Sequence, residues 1–206
     1  MNAIEGSHLK QWIVTAGFLT AVTVAGSALA TTSPLPKMSQ PSYWSAIGHK
    51  LTYIQEGHKG PIIYDFFDPN CPYCHSMYEE EQSLVQTGKV TIRYVPVAYL
   101  LPSSQPEAAA ILQTSHPLAA LGHFEVLAGK SFAAPIGPNG PVGLPRVKAS
   151  AHTIQALSMN MAVLQSTHSM GVPAILYLRK DGQTALLPGM VSRGELLTLL
   201  PNLARS

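Results

Sequence analysis

Both cysteines of the chain fall in one tetrapeptide, Cys71-Pro72-Tyr73-Cys74, placed where a strand pattern gives way to a helix pattern. Upstream, Ile62-Ile63-Tyr64-Asp65-Phe66-Phe67 is a short apolar and aromatic run of the kind that forms a buried strand, and Asp68-Pro69-Asn70 breaks it. Downstream, over residues 72–87, Cys74, Met77, Tyr78, Glu81, Leu84 and Val85 recur at three- and four-residue steps. Glu79 and Glu80 fall on the flank and Gly88 supplies the stop. A disulfide across so small a ring is worth only ~2 kcal/mol by loop-closure entropy, against ~3 for a fifteen-residue loop. The pair is a poor staple and points to chemistry.

Helix geometry says which chemistry. Pro72 suits the first helical position, because its missing N–H is one that would go unsatisfied there anyway. Cys71 then becomes the N-cap, where its sulfur can accept hydrogen bonds from the N–H groups of Tyr73 and Cys74 and meets the positive end of the helix dipole. Both effects lower a thiol pKa from ~8.5 towards ~3.5–7.5. Cys71 is the expected nucleophile. Cys74, one turn deeper on the same face, is the expected resolving thiol of a disulfide-exchange reaction. Tyr73 and His75 flank the pair and are candidates for tuning it, with His75 expected on a solvated helix face.

The remaining pattern is α/β. Residues 89–97 read as a second strand, 105–129 as a helical block and 135–145 as a Pro/Gly-rich loop. Residues 152–168 are helical again, with Ile154, Leu157, Met161 and Leu164 on one stripe and the methionines as core filling. Val172-Pro173 leads into a strand over 174–178, Lys180-Asp181-Gly182-Gln183 turns the chain, and 184–187 is a further strand. Ser192 and Glu195 have capping-box spacing for a last helix to Leu200.

At the amino terminus, residues 12–30 run without a charge after Lys10 and close in Ala28-Leu29-Ala30. This describes a secretory signal over residues 1–30, or an uncleaved anchor, since a membrane span needs about 20 apolar residues. Residues 31–42, with Pro34, Pro36 and Pro41, read as a linker, which leaves 43–206 as one domain. An exported protein meets an oxidising compartment. Net charge is +2 with no basic run, which argues against a nucleic-acid partner.

Strand, Cys-x-x-Cys, helix, strand, helical insertion, helix, Val-Pro, hairpin and closing helix is the order of a thioredoxin-like domain. Over residues 50–203 the chain resembles the DsbC/DsbG family of periplasmic disulfide isomerases and reductases. Phe66-Phe67-Asp68-Pro69-Asn70-Cys71-Pro72-Tyr73-Cys74 is similar to that family's active-site segment, and Pro173-Ala174-Ile175-Leu176-Tyr177 to its cis-proline segment. The resemblance implies a thioredoxin-like fold with a helical insertion over about 100–165, between the second strand and the helix preceding the cis-proline. It also implies a cis Pro173, and a Val172 backbone that pairs with an extended substrate strand beside Pro72 and Tyr73. Expected partners are exported proteins with cysteines or disulfides and a membrane redox protein. No cofactor beyond the Cys71–Cys74 disulfide is implied.

Three positions depart from the family. Only about twenty residues separate Ala30 from the domain, where the family carries an N-terminal dimerisation domain, so a monomer is expected. Val172 stands where DsbC and DsbG have threonine, as in DsbA-type oxidases. Asp65 stands six residues before Cys71, where thioredoxin has a buried aspartate, and is the candidate base for Cys74, acting through water. The direction of electron flow stays open between reductase or isomerase and a DsbA-like oxidase.

Two other classes compete. Cys71-Pro72-Tyr73-Cys74-His75 fits the attachment signature of a c-type haem, although an apolar strand runs straight into it and a Val-Pro hairpin accompanies it. A binding module that keeps the pair for stability would show no exchange with thiols. No metal is expected, because two cysteines and one adjacent histidine do not complete a tetrahedral zinc site.

Overall fold

The computed structural model describes residues 40–133 and 141–205. The signal or anchor over 1–30, most of the linker and the middle of the Pro/Gly loop lie outside the described residues. The elements are α1 Gln40–Lys50, β1 Ile54–Glu56, β2 Ile62–Phe67, α2 Pro72–Gln86, β3 Thr91–Pro96, α3 Ser104–Leu112, α4 Pro117–Phe132, α5 Ala151–Ser166, β4 Ala174–Leu178, β5 Thr184–Pro188 and α6 Arg193–Leu199, with a short 3-10 turn over Leu200–Asn202. The linker reading ends too late, since α1 already takes in residues 40–42.

Five strands form one mixed sheet in the order β1-β3-β2-β4-β5. β2 is central, parallel to β3 and antiparallel to β4. Helices cover both faces, which is why β2 reads as an unbroken apolar run instead of alternating with polar residues. Alternation survives as a choice of core. Ile63 and Phe67 of β2, Ile92 and Tyr94 of β3 and Ile175 of β4 enter one apolar cluster with Cys71, Cys74, Met77 and Leu84 of the α2 side. Tyr64, Phe66, Val95, Ala174 and Leu176 enter the other, with Ile47 of α1 and Val163 and Leu164 of α5. Each fully buried aliphatic or aromatic side chain among these is worth ~1.5–3 kcal/mol.

Asp65 shares its face of β2 with Ile63 and Phe67, so the two-residue strand period points it at α2. That helix stops as the sequence suggests. Gly88 has φ +68°, its N–H bonds the Val85 carbonyl at 2.9 Å, and the Lys89 N–H bonds the Leu84 carbonyl at 2.9 Å. This is the paired 5→2 and 6→1 closure that needs a left-handed residue. The capping box of α6 also forms, the Ser192 hydroxyl accepting from the Glu195 N–H and the Glu195 carboxylate accepting from the Ser192 N–H.

Two helical expectations need correction. The block over 105–129 is two helices, because the chain breaks after Leu112 and restarts at Pro117, a residue suited to a first turn. The apolar stripe of α5 is only partly core: Leu157 and Leu164 are buried, whereas Ile154 and Met159 are 41% and 42% exposed. Met161 alone of the two helix methionines packs against the core.

Candidate active site

The end of β2 feeds a tightly bonded loop. Asp68 is buried, and each of its carboxylate oxygens accepts two hydrogen bonds. Oδ1 takes the Asn70 N–H at 2.9 Å and the Ser104 hydroxyl at 2.7 Å. Oδ2 takes the Tyr99 and Leu100 N–H groups at 2.8 and 3.1 Å. Next to it, the Asn70 amide donates to Ser103, Ser104 and Glu107 at 3.0, 2.9 and 2.6 Å. Glu107 in turn pairs with Arg146 at 2.9 Å. The residue just before Cys71 is thereby tied to α3, and the Cys71 N–H closes the turn on the Asp68 carbonyl at 2.9 Å.

Cys71 is the N-cap of α2 in extended conformation, with Pro72 in the first turn. Its sulfur accepts the Cys74 N–H at 3.2 Å. Both cysteines are free thiols and only 4% exposed. The Cys71 pKa is drawn down chiefly by the hydrogen bond with the Cys74 thiol, then by the Cys74 and Tyr73 N–H groups, against burial and the negative charge of Asp68. Of the two backbone donors expected from the sequence, the Cys74 N–H forms the clear hydrogen bond, and the partner thiol leads. Burial, the bond to Cys71 and the charges of Cys71 and Asp65 push the Cys74 thiol far up. Within one tetrapeptide the two sulfurs are driven in opposite directions.

The second motif meets the first across 101 residues. The Val172–Pro173 peptide is cis, and the Cys71 thiol points at the Val172 carbonyl oxygen at 3.7 Å. The Pro173 carbonyl is held by the Gly189 N–H at 2.8 Å, from the loop after β5. Tyr73, two residues after Cys71, is 67% exposed, and Tyr99 and Leu100, whose N–H groups bond Asp68, are 39% exposed.

Asp65 lies behind the pair, 1% exposed, its Oδ1 without a hydrogen-bond partner. Burial, then the charges of Cys71 and Glu125, raise its pKa well above the usual carboxylate range. His75 is not on a solvated face. Its side chain is 13% exposed and its Nδ1 sits 2.7 Å from Glu125 of α4, with Glu79 3.6 Å from Nε2. The Glu125 bond raises the imidazole pKa against partial burial, while burial pushes Glu125 up against the pull of His75. Space for the ring comes from Gly129 of α4, where a Cβ would lie 2.9 Å from Nε2. His75 thereby acts as a clamp between α2 and α4 through Glu125, directly after the cysteine pair.

Sequence reasoning passed over Glu81 and Glu125. Glu81 occupies an apolar-stripe position of α2, 0% exposed, with no carboxyl oxygen in a well-formed hydrogen bond and only a weak interaction with the Tyr94 hydroxyl to favour its charge. An acid at a core-facing position was the available signal. Glu125 had none, because its partner is fifty residues away. Among the described residues no group of three or more His, Cys, Asp or Glu is arranged to hold a metal, and no helix is long and apolar enough to cross a membrane.

The chain is 31% identical over 139 residues to the thiol:disulfide interchange protein DsbG of Pseudomonas aeruginosa, covering 68% of this chain and 50% of that protein. It is 28% identical over 161 residues to DsbG of Escherichia coli, covering 78% and 58%. The chain thus spans about half the length of these curated relatives. A periplasmic thioredoxin-like protein from Salmonella enterica serovar Typhimurium superposes with a TM-score of 0.56 at 21% identity, over 76% of this chain and 94% of that one. Nothing among these relatives supports a haem protein. A family profile for thioredoxin-like domains matches residues 47–204, from α1 through the cysteine pair and cis-proline to the last turn, and the chain belongs to that thioredoxin-like domain family.

Proposed function

We propose that this chain exchanges disulfides with the cysteines of exported proteins, in the reductase or isomerase direction. One observation carries the reading: the Cys71 sulfur is capped onto the start of α2 by the Cys74 N–H at 3.2 Å and faces the cis-proline loop at 3.7 Å.

The reaction follows from that arrangement. The Cys71 thiolate attacks a partner disulfide, forming a mixed disulfide and releasing one partner sulfur as thiolate. The Val172 N–H and C=O pair with the extended partner segment, and Pro72 and Tyr73 contact it. Cys74 then gives its proton to Asp65 and attacks the Cys71 sulfur. The second partner sulfur leaves, the partner gains two electrons, and Cys71–Cys74 is oxidised. In isomerisation a second partner thiolate attacks the partner sulfur of the mixed disulfide instead, which forms a new partner disulfide and releases Cys71 as thiolate. The pair itself is the only redox group required, and a membrane redox protein would return it to the dithiol. A periplasmic site and a monomeric state accompany this reading.

The direction rests on the resemblance to the DsbC/DsbG family. Charge acts both ways: Asp68 opposes a negative Cys71, and so does Asp65 when ionised, while the Cys74 thiol and the helix N–H groups favour it and prevail. The more the thiolate is stabilised, the more the reduced pair is favoured, so the potential measures the balance. Equilibration with glutathione tests this: the potential should fall nearer ~−270 than ~−120 mV. A value at the upper end would make the protein a DsbA-like oxidase, and retained exchange in Cys71→Ser would remove the mechanism altogether.

A further inference from the structure

β2 starts, and α2 ends, at an open cavity of about 750 Å³ that plays no part in the reaction above. Pro61, the residue before β2, and Gly88, the stop of α2, both line it. The six residues of β2 span ~20 Å and the fifteen of α2 ~22 Å, so the cavity and the cysteine pair lie at opposite ends of both elements. Lys59, Lys89, Lys180 and Arg205 line the cavity, and no Asp or Glu does. The whole chain sets 13 basic against 11 acidic residues, so four against none is a local concentration of charge. All four residues are exposed, and among the described residues none of them forms an ion pair. Asp181, next to Lys180, is taken by Arg179 at 3.0 Å. Close packing sets two of the lysines: a Cβ on Gly60 would lie 2.3 Å from the Lys89 carbonyl oxygen, and one on Gly88 would lie 3.2 Å from Cδ of Lys59. The loop before β2 and the turn after α2 are thereby locked together with both side chains on one rim. The negative end of the α2 dipole supplies only about half a charge. Its last carbonyls already accept from Gly88 and Lys89 N–H groups, so it does not answer four cations.

We propose that this cavity is a phosphate site, separate from the cysteine pair, whose cations take the phosphate oxygens of a ligand that rests its remainder on the apolar lining. Four cations exceed what a single carboxylate uses, whereas a phosphate monoester carries about −1.5 to −2 charge and three acceptor oxygens. Lysine ammonium groups act on phosphate as point charges, and the Arg205 guanidinium offers a planar fork to two of its oxygens. Between the cations the lining is apolar, with Pro61 and Leu200 buried and Leu197 39% exposed. That surface favours an organic phosphate over the bare ion. A phospholipid headgroup and free phosphate are the two sources of this chemistry.

The test is an amide NMR titration of the reduced full chain with inorganic phosphate, and separately with dihexanoyl phosphatidic acid below its micelle concentration. Chloride holds the ionic strength constant. The native protein should show saturable shifts at Gly60 and Gly88, with Cys71 and Tyr73 unmoved. In the triple variant Lys59→Gln, Lys89→Gln, Lys180→Gln, affinity should fall by about tenfold or more, while exchange with a partner disulfide keeps its native rate. If the triple variant does not fold, Lys59→Gln and Lys180→Gln taken singly should each weaken binding. Lipid binding tighter than phosphate binding by about tenfold assigns the site to a headgroup, and equal or weaker lipid binding assigns it to free phosphate. Shifts that saturate with neither probe, or that persist unchanged in the variants, overturn the proposal.

Discussion

Replacing Glu81 by Met should stabilise the protein. The native side chain is fully buried with neither oxygen in a well-formed hydrogen bond, the Tyr94 hydroxyl favouring its charge only weakly, and it stands in line with Met77 and Leu84 on the apolar stripe of α2. An unsatisfied buried polar group costs about 1–3 kcal/mol, and Met is of similar length and pliable enough to fill the same space. The gain should therefore be on the order of 1–3 kcal/mol, or roughly 2–10 °C in Tm for a domain of this size. Its pH dependence follows from linkage. Burial first, and Asp65 second, raise the folded-state pKa of Glu81 above its ordinary 4.5. The native protein binds this proton more tightly than the unfolded chain, so its stability is full below pH 4.5 and falls as pH rises through the raised value. The advantage of Glu81→Met should be small at pH 4 and larger at pH 7. Thermal unfolding of the reduced proteins at both values measures it. A variant less stable than native at pH 7, or an advantage that shrinks with rising pH, would show that the carboxyl has a partner and that the reasoning fails.

Other perturbations probe the surroundings. His75→Ala strands Glu125, whose side chain is 8% exposed, and should cost up to about 3–5 kcal/mol in urea unfolding at pH 6; a loss below about 1 kcal/mol would mean the pair is solvated. With the raised His75 pKa, the clamp's contribution is complete below the ordinary value of 6.5 and fades as pH climbs through the raised one, so the native–variant difference should narrow in alkali. Asp68→Asn removes the charge that opposes the Cys71 thiolate and should lower the Cys71 pKa, seen in its thiolate absorbance. The same change puts an amide where one oxygen accepted two hydrogen bonds and should destabilise by about 1–3 kcal/mol, read by denaturant midpoint. A Cys71 pKa that rises would reverse the assigned role of Asp68.

What was legible in the sequence was local. The six-residue run of β2, the stop at Gly88, the Ser192–Glu195 box and the cap position of Cys71 all depend on neighbours within a few residues, and the structure places them as read. Val172–Pro173 was legible only through resemblance, since nothing local distinguishes it from an ordinary turn proline. The misreadings are non-local. His75 follows the pattern of an outward helix position, and only α4, arriving fifty residues later with Glu125 and the small Gly129, turns its surroundings inward. The Asp68–Asn70–Ser104–Glu107 network joins residues more than thirty positions apart, and polar side chains before a cysteine pair carry no mark of being buried. Glu81 was read as part of the apolar stripe without its charge being questioned.

The central claim is that fold geometry separates the two sulfurs into an anion and a guarded thiol. Titrating thiolate absorbance of the reduced protein, with alkylation sites mapped at pH 7, tests it most directly. Cys71 should ionise below the ~8.5 of a free cysteine and take essentially all the label, leaving Cys74 unmodified. Ionisation of Cys71 at or above that value, or equal labelling of both, would contradict the account.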